Sequence, residues 1–199
     1  MIFDTSKAII LEDERVRLEP LSEQHLPQLL AYVAKQPELW KYAVWPPDTP
    51  EAMTHYLQHA LTKKSEGDSY PFAVWDKQTN TFAGTTRFYD INCEQQRLQL
   101  GYTWYGKQFH GTGLNTHCKH LLLQHVFETL QAERLEFRAD AKNKRSIAAM
   151  RGIGAKIEGI LRAHVACYYG RRDVIVLSIL LQEWPKVKSH IEQKLSNYA

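Results

Sequence analysis

Gln108-Phe109-His110-Gly111-Thr112-Gly113-Leu114 joins an alternating apolar run to a helical one, and the chemistry open to it is anion binding. Upstream, Leu98, Leu100, Tyr102 and Trp104 alternate with Gln99, Gly101 and Thr103, the pattern of a strand with one buried face. Downstream, Leu114, Leu121, Leu122, Val126, Phe127 and Leu130 recur at helical spacing. A glycine-bearing turn at a helix N-terminus gathers unpaired backbone N–H groups at the positive end of the helix dipole, so it attracts phosphate. Glycine at 111 and 113 lets the backbone approach an anion with no Cβ in the way. The group expected there is a pyrophosphate. A Walker-type loop is excluded, because no Gly-Lys-Ser/Thr follows. A dinucleotide fingerprint needs a third small residue where Thr116 stands. Glu133, at the offset of a ribose-binding acid, falls before the next strand and not at its end.

Other chemistry-bearing residues carry weaker signals. His117, Cys118, His120 and His125 lie on the same helical run. His117 and His120 share a face, but two ligands three apart with no matched acid make a poor metal site, so no metal is expected. Cys93, Cys118 and Cys167 are too few and too widely spaced for a disulfide framework or a zinc motif.

The elements that must position this loop follow from pattern. With 199 residues, 44% of them apolar, one domain over residues 1–199 with a sizeable core is expected. A net charge of +3 is too small to argue for nucleic acid. No apolar run is long enough to span a membrane. Met1 to Lys7 lack the basic start and apolar core of a signal peptide, so a cytoplasmic protein is expected. Val16 and Leu18 alternate as a first strand. Ser22 is placed as an N-cap before a helix carrying Leu26, Leu29, Leu30 and Val33, with Pro27 in its first turn. Trp40 to Pro50 holds too many prolines for a helix and reads as a loop; Glu51 to Lys63 then reads as the second helix. Tyr70–Trp75 and Thr81–Phe88 form a hairpin, and Arg97–Tyr105 adds an antiparallel strand. Arg134–Ala139 follows the central helix and is therefore parallel to the strand before the loop. Ser146–Arg151 is a short helix ending near Gly152 or Gly154. Ile157–Tyr168 and Asp173–Gln182 close the sheet as a hairpin, and residues 185–199 form a polar tail helix with few apolar anchors. The sum is an α+β fold with a mixed, mostly antiparallel sheet.

Gln108-x-x-Gly111-x-Gly113 at a strand-to-helix junction resembles the acetyl-coenzyme-A loop of the GNAT N-acetyltransferase superfamily. The later order strengthens this: Asp140-Ala141-Lys142-Asn143-Lys144-Arg145-Ser146, then Gly154 to Arg162, then Gly170-Arg171-Arg172-Asp173, closing with Leu181-Gln182-Glu183-Trp184. That order is similar to the RimJ/RimL type, the ribosomal-protein N-terminal acetyltransferases, and it covers about residues 14–184. The resemblance implies a GNAT fold with helices on both faces and a central parallel pair splayed around acetyl-coenzyme A. It implies cofactor contacts at Gln108, Phe109, His110, Gly111, Thr112, Gly113, Leu114 and Asn115, and along the strand edge at Tyr102, Trp104 and Tyr105. A backbone N–H near Trp104 would face the thioester carbonyl. Ser146 would protonate the departing thiolate and Asn143 would order the cofactor arm, although Asn143-x-x-Ser146 also suits helix capping.

The glutamate that the RimL-type enzyme carries after its Glu-Gly pair is Val165 here. His164 is the neighbouring candidate base, although strand alternation turns it to the opposite face; a water chain to a more distant acid is the alternative. Lys142, Lys144, Arg145, Arg151 and Lys156 suit the 3′-phosphate of coenzyme A better than a nucleic acid. The expected partners are acetyl-coenzyme A and a primary amine, a protein or peptide N-terminus or a small molecule, with a homodimer allowed. An acyl-coenzyme-A-binding module without catalysis is the rival reading.

Overall fold

A computed structural model describes residues 1–197. Eight strands and five α-helices follow in the order β1 (Leu11–Glu12), β2 (Val16–Pro20), α1 (Leu26–Lys35), α2 (Pro50–Ser65), β3 (Ser69–Asp76), β4 (Thr81–Asn92), β5 (Arg97–Tyr105), α3 (Leu114–Gln124), β6 (Arg134–Asp140), α4 (Lys144–Gly152), β7 (Lys156–Cys167), β8 (Gly170–Leu180) and α5 (Trp184–Leu195). The strands form one sheet in the order β1-β2-β3-β4-β5-β6-β8-β7. Only β5 and β6, joined through α3, pair in parallel; the other neighbours are antiparallel.

Local chemistry explains the helix starts. Thr49 accepts the Ala52 N–H at 3.1 Å with Pro50 just inside α2, and Asn143 accepts the Ser146 N–H at 3.1 Å to open α4. Gly113, at φ +86°, opens α3 in a left-handed conformation that suits glycine. Beyond Gln124 the helix widens into a π turn over His125–Thr129, closed by Leu130 N–H on the His125 carbonyl at 2.9 Å.

The sheet is buried on both faces through its centre. Along β3, Tyr70, Phe72 and Val74 join the core that holds Leu114, Cys118 and Leu122 of α3; Ala73 and Trp75 join the core that holds Leu29, Val33, Met53 and Leu57 of α1 and α2. The tail departs from its sequence reading. Leu181–Glu183 is a 3₁₀ turn and not the end of the strand, and Trp184 opens α5. Trp184, Val187 and Ile191 are buried, and Trp184 stacks on Phe127 with ring centroids 5.4 Å apart. Three anchors at helical spacing dock this helix where the count of apolar residues suggested too few. Residues 198 and 199 of the expected tail lie outside the described residues.

Gly84 of β4 sits at φ +155°, and a Cβ there would collide with the Trp104 carbonyl oxygen of β5. Gly84→Ala should therefore destabilise the fold by about 2–4 kcal/mol. Gly159→Ala, with open space around its Cβ, should shift stability by less than about 0.5 kcal/mol, both read from urea unfolding midpoints.

Candidate active site

The site grows from the place where β5 and β6 part. Their register runs only through Arg97, Leu98 and Gln99 against Arg134, Leu135 and Glu136, and then pairing stops. A bulge follows on β5: the β4 register breaks between Thr85 and Arg87, and Tyr102 takes φ +50°. Gly106 donates to the Ala83 carbonyl at 2.9 Å, and backbone groups alternate in direction along a strand. Trp104 therefore turns its N–H and C=O to β4, and Tyr105 turns its own toward β6. The amide that faces the gap is that of Tyr105, one residue beyond the position read from sequence. Its carbonyl is engaged by His110 Nε2 at 3.0 Å.

At the open end of the gap the chain makes the glycine loop. Phe109 and His110 spend their N–H groups on the carbonyls of Gly106 and Lys107, both at 3.0 Å. The N–H groups of Gly111, Thr112, Gly113, Leu114 and Asn115 make no hydrogen bond to the described residues, and they sit at the start of α3. The amides left free are thus 111–115, the C-terminal part of the 108–115 run read from the sequence. Gly111, at φ +77°, has open space where a side chain would project.

Several side chains of the loop serve to hold it. Gln108 bonds Gln36 at 3.2 Å and the Tyr32 hydroxyl at 3.4 Å, tying the loop to α1. Phe109 and Leu114 are buried in the core, and Thr112 Oγ1 donates to the Phe109 carbonyl at 2.9 Å. The Trp104 indole packs edge-on against Tyr32 and Trp40, and the Tyr105 ring is buried beside Cys118. Burial pushes the Cys118 thiol up to about 12, so it is no nucleophile at neutral pH.

His110 links the loop to α4. Its Nδ1 accepts from Arg145 Nη1 at 3.1 Å while Nε2–H donates to Tyr105, so one neutral tautomer satisfies both bonds. Burial and the Arg145 cation hold this imidazole below its ordinary range. The next residue, Ser146, is half-buried on α4, with its own N–H capped by Asn143. Structure thus brings Tyr105, His110, Asn143 and Ser146 to one end of the gap.

The far wall corrects another expectation. On β7, Leu161 pairs with Val174 and Val165 with Arg172, so Arg162, Ala163 and His164 stand opposite Asp173 alone. This bulge, with Ala163 at φ +47°, breaks the alternation and turns His164 toward Arg138 of β6, its Nε2 3.5 Å from Nη1. Arg138 also holds Glu136 at 2.7 Å. Glu136 and Arg138 were passed over in the sequence, although Leu135, Phe137 and Ala139 mark the core face of β6 and leave these two on the other.

The acid that helical spacing could not supply to His117 comes from the β1–β2 turn. Asp13 Oδ2 lies 2.8 Å from His117 Nδ1, and Asp13 Oδ1 accepts the Arg15 and Val16 amides. Ligand atoms of Asp13, Glu14 and His117 lie within 4.8 Å of one another. With Asp13 already committed to two amides, the set works as a clamp between that turn and the first turns of α3. Arg171, Arg172 and Asp173 stitch backbone. Arg171 bonds the Ala163 carbonyl at 2.7 Å, Arg172 the Tyr42 carbonyl at 2.8 Å, and Asp173 the Ala163 amide at 2.7 Å. Lys156 pairs with Glu183 and lies apart from the other basic residues.

Residues 15–156 match the family model described as an acetyltransferase (GNAT) domain. The chain belongs to the GNAT acetyltransferase family. N-acetyltransferase p20 of Bacillus licheniformis, itself uncharacterized, is 26% identical over 175 residues, which cover 87% of this GNAT chain and 97% of p20. A GCN5-related N-acetyltransferase from Brucella melitensis superposes with a TM-score of 0.86 at 28% identity, covering 94% of this chain and 85% of that one. RimL, a ribosomal L7/L12 alpha-N-protein acetyltransferase solved with coenzyme A, shares the fold at a TM-score of 0.76 and 20% identity, covering 87% and 98%. The GNAT resemblance read from the sequence agrees with the family match. Among the described residues of this GNAT chain, no helix is long and apolar enough to cross a membrane.

Glu158, the acid of the family Glu-Gly pair, is a structural anchor. It takes a two-pronged grip from Arg134, with Nη2 at 2.6 Å, and accepts Ser178 Oγ at 2.6 Å. The Arg134 hydrogen bonds pull its carboxyl down to about 2 from 4.5. A depressed acid stabilises the fold above its unfolded value and loses that contribution as pH falls through the folded one. The gap in urea midpoint between wild type and Glu158→Gln should therefore be full at about pH 6 and shrink steadily below about pH 4.5.

Proposed function

We propose that this chain transfers an acetyl group from acetyl-coenzyme A to a primary amine, by direct attack of the amine on the thioester. The first acceptor class is the α-amine of a protein or peptide N-terminus, and small-molecule amines are the second. The observation that carries the reading is the run of five unbonded amides, 111–115, at the open end of a gap between two parallel strands. RimL, a protein of the same fold, acts on such an α-amine by its name. The three free cysteines and the lack of a membrane-crossing helix among the described residues accord with work in the cytoplasm.

The residues present suit the group. Amides 111–115 would hold the pyrophosphate, with the α3 dipole behind them. Lys142, Lys144 and Arg151, which make no ion pair within the described residues, would meet the 3′-phosphate together with Arg145. Tyr105 N–H offers an edge donor to the pantetheine arm. When bound, acetyl-coenzyme A supplies an activated carbonyl and a thiolate leaving group. Ser146 would give its hydroxyl proton to that sulfur. His164, its Nε2 held against Arg138, would take the proton from the incoming ammonium, directly or through water.

Mixing the protein with acetyl-coenzyme A and a panel of peptides and small amines should release free thiol, followed with a thiol-reactive dye. Cofactor binding with no thiol release from any amine would favour a non-catalytic module, the reading that Val165 in place of the family glutamate keeps open. Gly111→Val should weaken coenzyme A by about tenfold or more in calorimetry. Unchanged affinity would sink the loop assignment. Ser146→Ala should lower kcat by about 100-fold with little change in cofactor affinity.

A further inference from the structure

Arg87 lies on β4 in the row Thr85, Arg87, Tyr89, on the sheet face that Tyr56 of α2 covers. It is 2% exposed, and its Nε is buried with no acceptor. Among the described residues no carboxylate or carbonyl takes a hydrogen bond or ion pair from its guanidinium. Other arginines on or beside this sheet are matched: Arg15 with Asp76, Arg97 with Asp90, Arg134 with Glu136 and Glu158, Arg172 with the Tyr42 carbonyl. Arg87 has aromatic faces instead. The Tyr102 ring lies 4.2 Å from its guanidinium carbon and the Tyr56 ring 5.4 Å away.

Two rings return only part of what it costs to bury a cation without a counter-charge. The surroundings add positive charge rather than remove it. Burial, and after it the Arg87 cation, push His59 of α2 below its ordinary range, and Lys63 on the next turn acts in the same sense. Such an arrangement persists when the charge has work to do.

Its place says what work. Arg87 pairs in register with Gly101, one residue before the Tyr102 bulge and two after the last β5–β6 pair. The guanidinium thus sits one strand from the point where the gap opens. Tyr102, its cover, is 48% exposed at that point. Around it stand hydroxyls without charge: Tyr56 Oη and Thr85 Oγ1, 3.2 Å apart, and the Tyr89 ring edge-on to Tyr102 at 5.1 Å.

We propose that Arg87 binds a carboxylate of the acceptor, so that this enzyme's substrates are amines bearing an acidic group close to the reacting nitrogen. The guanidinium fork matches the two carboxylate oxygens, and Tyr56 and Tyr102 hold its plane. The proposal rests on the acetyltransferase reading above and names its substrate class. The carboxylate comes either from an Asp or Glu side chain near a peptide N-terminus or from the α-carboxylate of a free amino acid.

The test has a binding arm that needs no turnover. N-acetylated Ser-Glu-amide and Ser-Gln-amide cannot accept a second acetyl group at the α-nitrogen, and N-acetyl-serine carries only an α-carboxylate. In calorimetry with the intact protein and coenzyme A, one acid should bind at least about tenfold tighter than the uncharged Ser-Gln compound, and Arg87→Gln should erase the difference. Preference for the Ser-Glu compound assigns the side-chain source, and preference for N-acetyl-serine the α-carboxylate. Equal affinity of all three for the wild type overturns the proposal, whatever the fate of the acetyl-transfer assay. In that assay, free-amine Ser-Glu-amide or serine should exceed Ser-Gln-amide in kcat/KM by a like factor, and Arg87→Lys should keep part of the preference. Arg87→Met should melt at or above the wild-type temperature, because it removes a buried unpaired charge. A clear fall in melting temperature would make Arg87 a structural residue and overturn the assignment.

Discussion

The Trp104 carbonyl oxygen occupies the space that a side chain at position 84 would fill, and much of the molecule's chemistry depends on that contact. Because β4 carries glycine there, β5 can press against it, and the bulge at Tyr102 takes up the mismatch in register. A strand drawn toward one neighbour is drawn from the other. β5 keeps three paired residues with β6 and then leaves it. Backbone donors that a continuous sheet would consume are left facing a gap. On the proposed reading, the cofactor's arm would supply the missing hydrogen bonds, as an added strand would.

Two cores hold that gap open from either side. On one face α3 presses Leu114, Cys118 and Leu122 onto the sheet, which fixes where its unbonded N-terminus points. On the other, α1 and α2 pack around Trp40 and Trp104, and Tyr32 and Gln36 grip Gln108. The loop between α1 and α2 then crosses to the closing hairpin: Arg172 bonds the Tyr42 carbonyl, and Tyr168 N–H bonds the Val44 carbonyl at 3.4 Å. Asp140, at the end of β6, receives Tyr169 Oη at 2.8 Å and the Lys142 N–H at 2.8 Å, so the turn that leads to Ser146 is tied to the same hairpin. This side of the gap is therefore framed by segments distant in sequence.

Much of this was legible in the residues. Alternation along Leu98–Trp104 and Arg134–Ala139, with a helical run between, already required a parallel pair. The glycines at 111 and 113 marked the turn, and both take positive φ. Where alternation was used as a ruler, bulges defeated it. His164 changes face because three residues of β7 oppose one of β8, and no composition signal marks that. The tail was misjudged for a related reason: three apolar residues anchor a helix when their spacing fits the groove they enter, whatever the average polarity.

The sequence by itself determined the order and type of the elements and the glycine turn at a helix start, because these depend on local propensity and on periods of two and 3.6 residues, and its motif order carried the resemblance to the family. Only the tertiary structure decided which backbone groups are left over. Phe109 and His110 spend their amides locally while 111–115 do not, and Tyr105, not Trp104, faces the gap. It also showed that Arg87 meets no counter-charge among the described residues, while His117 finds a hydrogen-bond partner in Asp13, 104 residues away. Hydrogen-bond satisfaction and charge pairing are settled by which segments meet in space, and a linear pattern carries no record of those meetings.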